Sequence, residues 1–412
     1  MNISNLIVIC SLVLIYFLEL LSNILNINKI SDVIPAEFYK YINEKKYKIS
    51  QRYLKVNTKF QMLHSFFTLI FNVFLIFIGF NYINELTLFF SKNILFNGVF
   101  IANVLIIIVM FLKIPFLVYH TFVIENKFGF NRTNLKTFCM DIIKYLLINI
   151  ILTTILFSMI LWLFLNISKY AWFFVFIIIG LFQIAMMIIA PKFIMPLFNK
   201  YSPIEDKNLK KSIKEYAKTQ DFKIQGIFKM DGSKRSTKSN AFFTGIGKFH
   251  RIVLFDTLLQ NHNIDEIVCI LAHEMGHFKL GHLRKNMIMM FVVYGLIIWL
   301  FSNFIKQNWL YNSCCIKTKT IYIGMIILIT IVSIPINFLI TVLFNYYSRI
   351  YEYQADEYAV VTYNKPEVMI HTLKKLSVNN LSNLTPHPFK VFFEYSHPTI
   401  LERIKKIKEN NH

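Results

Sequence analysis

The stretch Leu271-Ala272-His273-Glu274-Met275-Gly276-His277-Phe278 decides how the rest of the chain is read. Two histidines stand four residues apart, with a glutamate directly after the first. On a helix, positions i and i+4 lie on one face, so both imidazoles can reach a single ion. The glutamate sits about 100° round the helix, close enough to meet water at that ion. This is the H-E-x-x-H arrangement of zinc proteases. Neutral imidazoles hold Zn²⁺, the metal lowers the pKa of its water to near 7, and the glutamate takes a proton as water attacks a carbonyl. An amphipathic helix with histidines on a wet face would carry the same letters. Catalytic zinc needs a third protein ligand, so the chain must supply one elsewhere.

Working outward, an apolar run at 287–304 comes almost at once. Similar runs lie at 6–25, 62–80, 94–118, 142–165, 172–189 and 321–343. Each is long enough to cross a hydrocarbon core of about 30 Å. The composition agrees: 55% of the 412 residues are hydrophobic and 16% are charged, against about 25% charged in soluble domains. The first run has no basic start and no small-residue cleavage site, so it reads as a retained span rather than a signal peptide.

The net charge is +21. On a soluble protein that would suggest nucleic acid. Here the basic residues fall between the apolar runs, which is better explained by orientation in a membrane. Residues 29–59 hold 8 Lys and Arg, and 192–285 hold 17, while the alternate gaps hold few. The positive-inside rule then puts the amino terminus in the lumen, and the carboxyl terminus and His273–His277 in the cytosol. Glu19 and Lys113 fall inside spans, which suggests a hydrated interior. Lys144 suits snorkelling from a helix end. The five cysteines show no metal or disulfide spacing, and the pair Cys314-Cys315 has no evident role.

After the seventh run, charge returns at helical spacing: Glu352 and Asp356 are i and i+4. A solvated face of an emerging helix would look alike. The topology favours more. Runs six and seven form a membrane hairpin, so the segment before run six and the segment after run seven return to the same side. Glu352 can therefore join His273 and His277 across 75 residues of sequence, with Asp356 orienting a ligand from behind.

At this point the chain resembles the Ste24-type CAAX prenyl proteases of family M48, integral-membrane zinc endopeptidases with seven spans. Thr121-Phe122-Val123-Ile124-Glu125 through Gly129-Phe130-Asn131 is similar to that family's TFVIExxxGFN loop, and Pro196–Tyr201 to its PLFNKF segment. Asp231-Gly232-Ser233-Lys234-Arg235-Ser236 with Ser239-Asn240-Ala241-Phe242-Phe243-Thr244-Gly245 is similar to DGSKRSxHSNAYFxG. Glu352–Asp356 fits ExxAD, and Tyr395-Ser396-His397-Pro398 through Glu402-Arg403 fits YSHPxxxER. Lys238 and Phe242 depart from the family's histidine and tyrosine.

The resemblance implies an all-α polytopic fold enclosing a chamber, with a mainly helical cytosolic protease part carrying a small β element. It divides the chain into spans 1–5 (1–200), a protease segment (201–286), spans 6–7 (287–344) and a tail (345–412) that completes the site. It implies one Zn²⁺ per chain on His273, His277 and Glu352, Glu274 as general base, and Asp356 behind the ligands. His397 and Arg403 would donate to the developing oxyanion. Asn240, Ala241 and Phe242 would lie in a segment that pairs with the substrate backbone. The implied reaction removes the last three residues of prenylated CAAX proteins. The expected setting is a bilayer, that of the endoplasmic reticulum or nuclear envelope in a eukaryote, with the chain a monomer and no nucleic-acid partner. The competing readings are a quality-control membrane protease of the HtpX type, and a non-catalytic chamber or transporter with a relic site.

Overall fold

Long helices arise from the uninterrupted apolar runs. The computed structural model describes residues 2–244 and 250–410, so Gly245 of the SNAFFTG stretch lies outside the described residues. Among these residues, seven helices are long and apolar enough to cross a membrane. Spans one to seven are Ile3–Asn28, Glu44–Phe89, Ile94–Glu125, Leu135–Asn166, Ala171–Phe198, His282–Phe304 and Ile321–Tyr363.

Each contains its expected apolar run and most extend well past it. Span seven has 43 residues, where about 20 suffice to cross. The overhang forms because no glycine or proline falls between Ile336 and Asn364. Asn364, at φ 51°, finally ends the helix in the left-handed conformation that commonly closes helices. Glu352 and Asp356 stand on this overhang.

The spans pack tightly at the end remote from the overhang. Ile76 and Phe80 of span two, Ile101 of span three, Leu161 of span four and Tyr322–Ile327 of span seven share one core. Gly98 permits the approach: a Cβ there would meet Tyr322 Cβ at 2.8 Å. Toward the other end the bundle opens. Glu19, His64 and Lys113, three ionisable residues inside apolar runs, line one cavity of about 510 Å³ together with His120 and Glu394. Lys144 reaches the Leu197 carbonyl at 2.7 Å from an exposed position. Cys314 and Cys315 close the loop between spans six and seven, Cys314 buried and Cys315 at φ 54°, and both are free thiols.

The soluble half is built on a sheet of strands β1 (Tyr201–Pro203), β2 (Ile224–Met230), β3 (Ala241–Thr244) and β4 (His250–Phe255) in the order β1-β2-β4-β3. Only β2 and β4 run parallel. Helix α1 (Lys207–Thr219) and helix α2 (Ile264–Lys279) cover one face. Their apolar sides, Leu209 and Ile213 on α1 and Leu271 and Met275 on α2, meet Ile252 and Leu254 of β4 and Ala359 of span seven in a second core. Helices α3 (Pro366–Asn379) and α4 (Ile400–Glu409) fold back on the linker between spans one and two and on the start of span two, where Phe38 and Tyr47 are fully buried. A capping box between Thr399 and Glu402 fixes the start of α4.

Helix α2 crosses the overhang of span seven at close range. A Cβ on Gly276 would lie 3.1 Å from Ala355 Cα and 3.2 Å from its carbonyl oxygen. Backbone atoms cannot swing aside as a side chain can. Gly276→Ala is therefore expected to force the two helices apart, cost about 1–3 kcal/mol, and lower metal retention. Thermal unfolding and metal analysis of the detergent-solubilised variant check this, and unchanged values would show that the crossing is loose.

Candidate metal centre

Asn263 caps α2 by accepting a hydrogen bond from the Glu266 backbone N–H, so the helix starts in fixed register. Ten residues later His273 projects toward span seven, and His277 stands one turn on. Their Nε2 atoms are 3.2 Å apart. Glu352 comes up from span seven between them, with Oε1 3.2 Å from His277 Nε2 and Oε2 3.5 Å from His273 Nε2. One donor atom from each residue falls within a sphere of mutual distances under 4.8 Å. Glu352 is 3% exposed, and its Oε2 makes no hydrogen bond. A buried carboxylate oxygen without a hydrogen bond costs free energy, and both imidazoles turn a ring nitrogen toward this carboxylate. This donor set fits a cation.

A layer of partners holds the ligands. Asp356 Oδ1 is 2.8 Å from His273 Nδ1. Arg403 on α4 grips Asp356 through Nε at 2.7 Å and Nη2 at 2.5 Å, and its Nη1 stands 3.3 Å from Glu352 Oε2. On the other side His277 Nδ1 meets His282 Nδ1 at 3.0 Å, and His282 Nε2 meets Gln354 at 2.9 Å. Gly281, at φ 67°, makes the turn that brings His282 back beside His277. The His282 ring stacks on Tyr351 with centroids 4.2 Å apart. His397 Nδ1 is 3.0 Å from Glu352 Oε1, while its side chain is 63% exposed.

Sequence reasoning missed His282 and Gln354. The signal was a third histidine five residues after His277, across a glycine. Reasoning also missed the clasp between Arg403 and Asp356, because no spacing rule links positions 47 residues apart.

Charge in the site is set by burial and its partners. Burial by itself lowers the pKa of His273, but hydrogen bonds to Asp356 and Glu352 outweigh it and push the imidazole up to about 9. Glu274 is raised above the ordinary carboxylate range by burial, although His273 and His277 pull it back. Arg403 is held further up by Asp356 despite its own burial.

The segment expected to meet substrate lies beside α2. Strand β3 pairs with β4 alone, so its other edge is open among the described residues. Ala241 is buried in the core shared with α2. Asn240 is exposed, its side chain accepting from the Ala241 N–H at 2.8 Å. Phe242 faces away from α2, edge-on to Phe255. Lys238, one of the two departures, pairs with Glu125 of span three at 2.9 Å and with Tyr53 of span two at 2.9 Å. Arg235 likewise grips Asp141 of span four at 2.7 and 2.9 Å. The motifs before β3 are thus joints between the soluble half and the spans.

Two family models tile nearly the whole chain. The CAAX prenyl protease N-terminal model, with five membrane helices, matches residues 23–200, and the peptidase family M48 model matches residues 203–411. The chain belongs to the M48 family of CAAX prenyl proteases. Among its relatives, the probable CAAX prenyl protease 1 of Schizosaccharomyces pombe is 33% identical over 92% of this chain and 83% of its own. The CAAX prenyl protease 1 homolog of Arabidopsis thaliana is 33% identical over 91% of this chain and 90% of its own. The crystal structure of S. mikatae Ste24p superposes with a TM-score of 0.91 at 29% identity, covering 99% of both chains. The chain is a membrane metallopeptidase, and the family implies a metal at the histidine–glutamate cluster.

Two outcomes are expected. His282→Ala should weaken metal affinity by roughly 10- to 100-fold, the usual effect of removing a group that orients a ligand. Equilibrium dialysis reads it, and undiminished affinity would make His282 a packing residue only. The raised pKa of His273 also sets a pH dependence. Ligation requires the neutral ring, so metal uptake below about pH 9 displaces a proton, and apparent affinity falls as pH drops. With metal stripped, the same shift adds stability that is full below the ordinary 6.5 and is lost as pH rises through about 9. Calorimetry in buffers of different ionisation enthalpy should record the released proton, and its absence at neutral pH would contradict this account of His273.

Proposed function

We propose that the chain is a zinc-dependent endopeptidase that releases the three residues after the prenylated cysteine of a CAAX box. The observation that carries this reading is the convergence of His273, His277 and Glu352 beside Glu274, next to a strand with an open edge. Two imidazoles and a carboxylate are a donor set of catalytic zinc. The substrate class is supported by the relatives, which bear the name CAAX prenyl protease.

His273, His277 and Glu352 would hold one Zn²⁺. Zinc there supplies Lewis-acid polarisation of the scissile carbonyl and acidification of water. Glu274 takes a proton from the attacking water and returns it to the leaving amine, and its raised pKa suits both transfers. Asp356 keeps His273 in one tautomer and one orientation. His397, solvent-accessible and anchored on Glu352, donates to the carbonyl oxygen as charge develops. The Nε and Nη2 of Arg403 are committed to Asp356, so we assign it an orienting role rather than a contact with the oxyanion. Asn240, Ala241 and Phe242 accept the substrate as an added strand, which selects little by side chain.

The four segments 1–200, 201–286, 287–344 and 345–412 then divide into membrane scaffold, protease segment, membrane hairpin and completing tail. The charge pattern supports a lumenal amino terminus with the active site and carboxyl terminus cytosolic. We assign the chain to the endoplasmic reticulum membrane as a monomer.

Glu274→Gln should retain one zinc per chain yet lower hydrolysis of a farnesylated CAAX peptide by about a hundred- to ten-thousandfold. Full activity would remove Glu274 from the general-base role. The unmodified peptide should be cleaved more slowly than the farnesylated one by wild type, and equal rates would replace prenyl processing with general clearance.

A further inference from the structure

Where span five gives way to β1, the outer face of the sheet and the end of the span enclose a cavity of about 670 Å³. Met187 of span five, Phe228 of β2 and Phe242 of β3 contribute its apolar wall, and Lys192, Lys200 and Arg251 its cations. Among the described residues, no acidic side chain lines it. All three cations are exposed, and none forms an ion pair among the described residues. Lys192 rests over the Phe193 ring and Arg251 over the Phe228 ring, at 5.6 and 5.9 Å from the centroids. Both therefore keep their N–H donors free for a ligand.

The height of the cavity is set by its neighbours. Ile188, Phe193 and Leu197, on the same end of span five, are at least half exposed. Such residues at the end of a span belong at the bilayer interface. The cavity is also separate from the metal centre. Phe242 alternates with Ala241, whose side is packed against α2, so the cavity and α2 lie on opposite faces of the sheet.

We propose that this cavity binds an anionic phospholipid from the leaflet on the side of the metal centre. The headgroup is held by Lys192, Lys200 and Arg251, and the glycerol and first methylenes lie on Met187, Phe228 and Phe242. Unpaired cations above an apolar wall at interface depth complement a ligand that is anionic at one end and oily at the other. A zwitterionic lipid supplies its own cation and loses the preference. A bound lipid would buttress Phe242, and with it the open edge of β3, from the face opposite the metal. The inference does not depend on which peptide is cleaved.

The test uses the full-length, metal-loaded protein in detergent with equimolar dioleoylphosphatidylserine and dioleoylphosphatidylcholine, read by native mass spectrometry at low ionic strength. Wild type should retain phosphatidylserine over phosphatidylcholine by about a hundredfold, with each cation contributing about fivefold. The triple variant Lys192→Gln/Lys200→Gln/Arg251→Gln should lose the preference. Lys207→Gln/Lys210→Gln/Lys214→Gln, which removes equal charge from the exposed face of α1, should keep it. The single Lys200→Gln variant should show an intermediate loss. Equal retention of both lipids, or equal effects of the two triple variants, overturns the proposal. Displacement of phosphatidylserine by farnesylcysteine methyl ester overturns it as well, and gives the cavity to the isoprenoid of a substrate instead.

Discussion

Everything in this protein depends on burying ionic groups where helix α2 crosses the overhang of span seven. Glu352, Asp356 and Arg403 are each less than a tenth exposed. Moving such charges out of water costs several kcal/mol apiece unless geometry and partners offset it. Arg403 offsets one carboxylate by a two-pronged pairing with Asp356. With Glu274 ionised, three carboxylates face one guanidinium, and a divalent cation between Glu352 and the histidines would restore neutrality. The same balance explains why His273 holds its proton so strongly when no cation competes for the ring.

That burial requires two helices to meet at backbone distance, and the rest of the fold delivers them. Gly276 removes the side chain that would keep them apart. The apolar face of α2 is fixed by the sheet, and the position of span seven by the membrane core at its far end. The bilayer thus supplies a rigid frame for a site that stands just beyond its apolar runs. A shorter span seven would end before Glu352.

The joints between frame and protease segment are ionic. Lys238 with Glu125, and Arg235 with Asp141, tie the approach to β3 to spans three and four. Lys238, where the family has a histidine, donates both to Glu125 and to the Tyr53 hydroxyl. The departure therefore falls on a structural clasp, and the open edge of β3 is left unaltered. Phe242, the other departure, faces away from the metal helix, on the side of the strand opposite Ala241.

The sequence by itself determined the seven spans, because about 20 apolar residues in lipid have only the helix as an outcome. It also determined that His273 and His277 share a helical face, and that Glu352 returns near them through a membrane hairpin. Those readings rest on local periodicity and on a topological constraint, both visible in a linear string. Tertiary structure alone decided the rest. It brought Arg403 to Asp356 rather than leaving it free over the site, and it turned His282 back onto His277 through the left-handed Gly281. It gathered Glu19, His64 and Lys113 from three spans around one cavity. These are choices among rotamers, helix crossings and turns, settled by which buried polar atoms find partners, and pairings of that kind leave no period in the sequence.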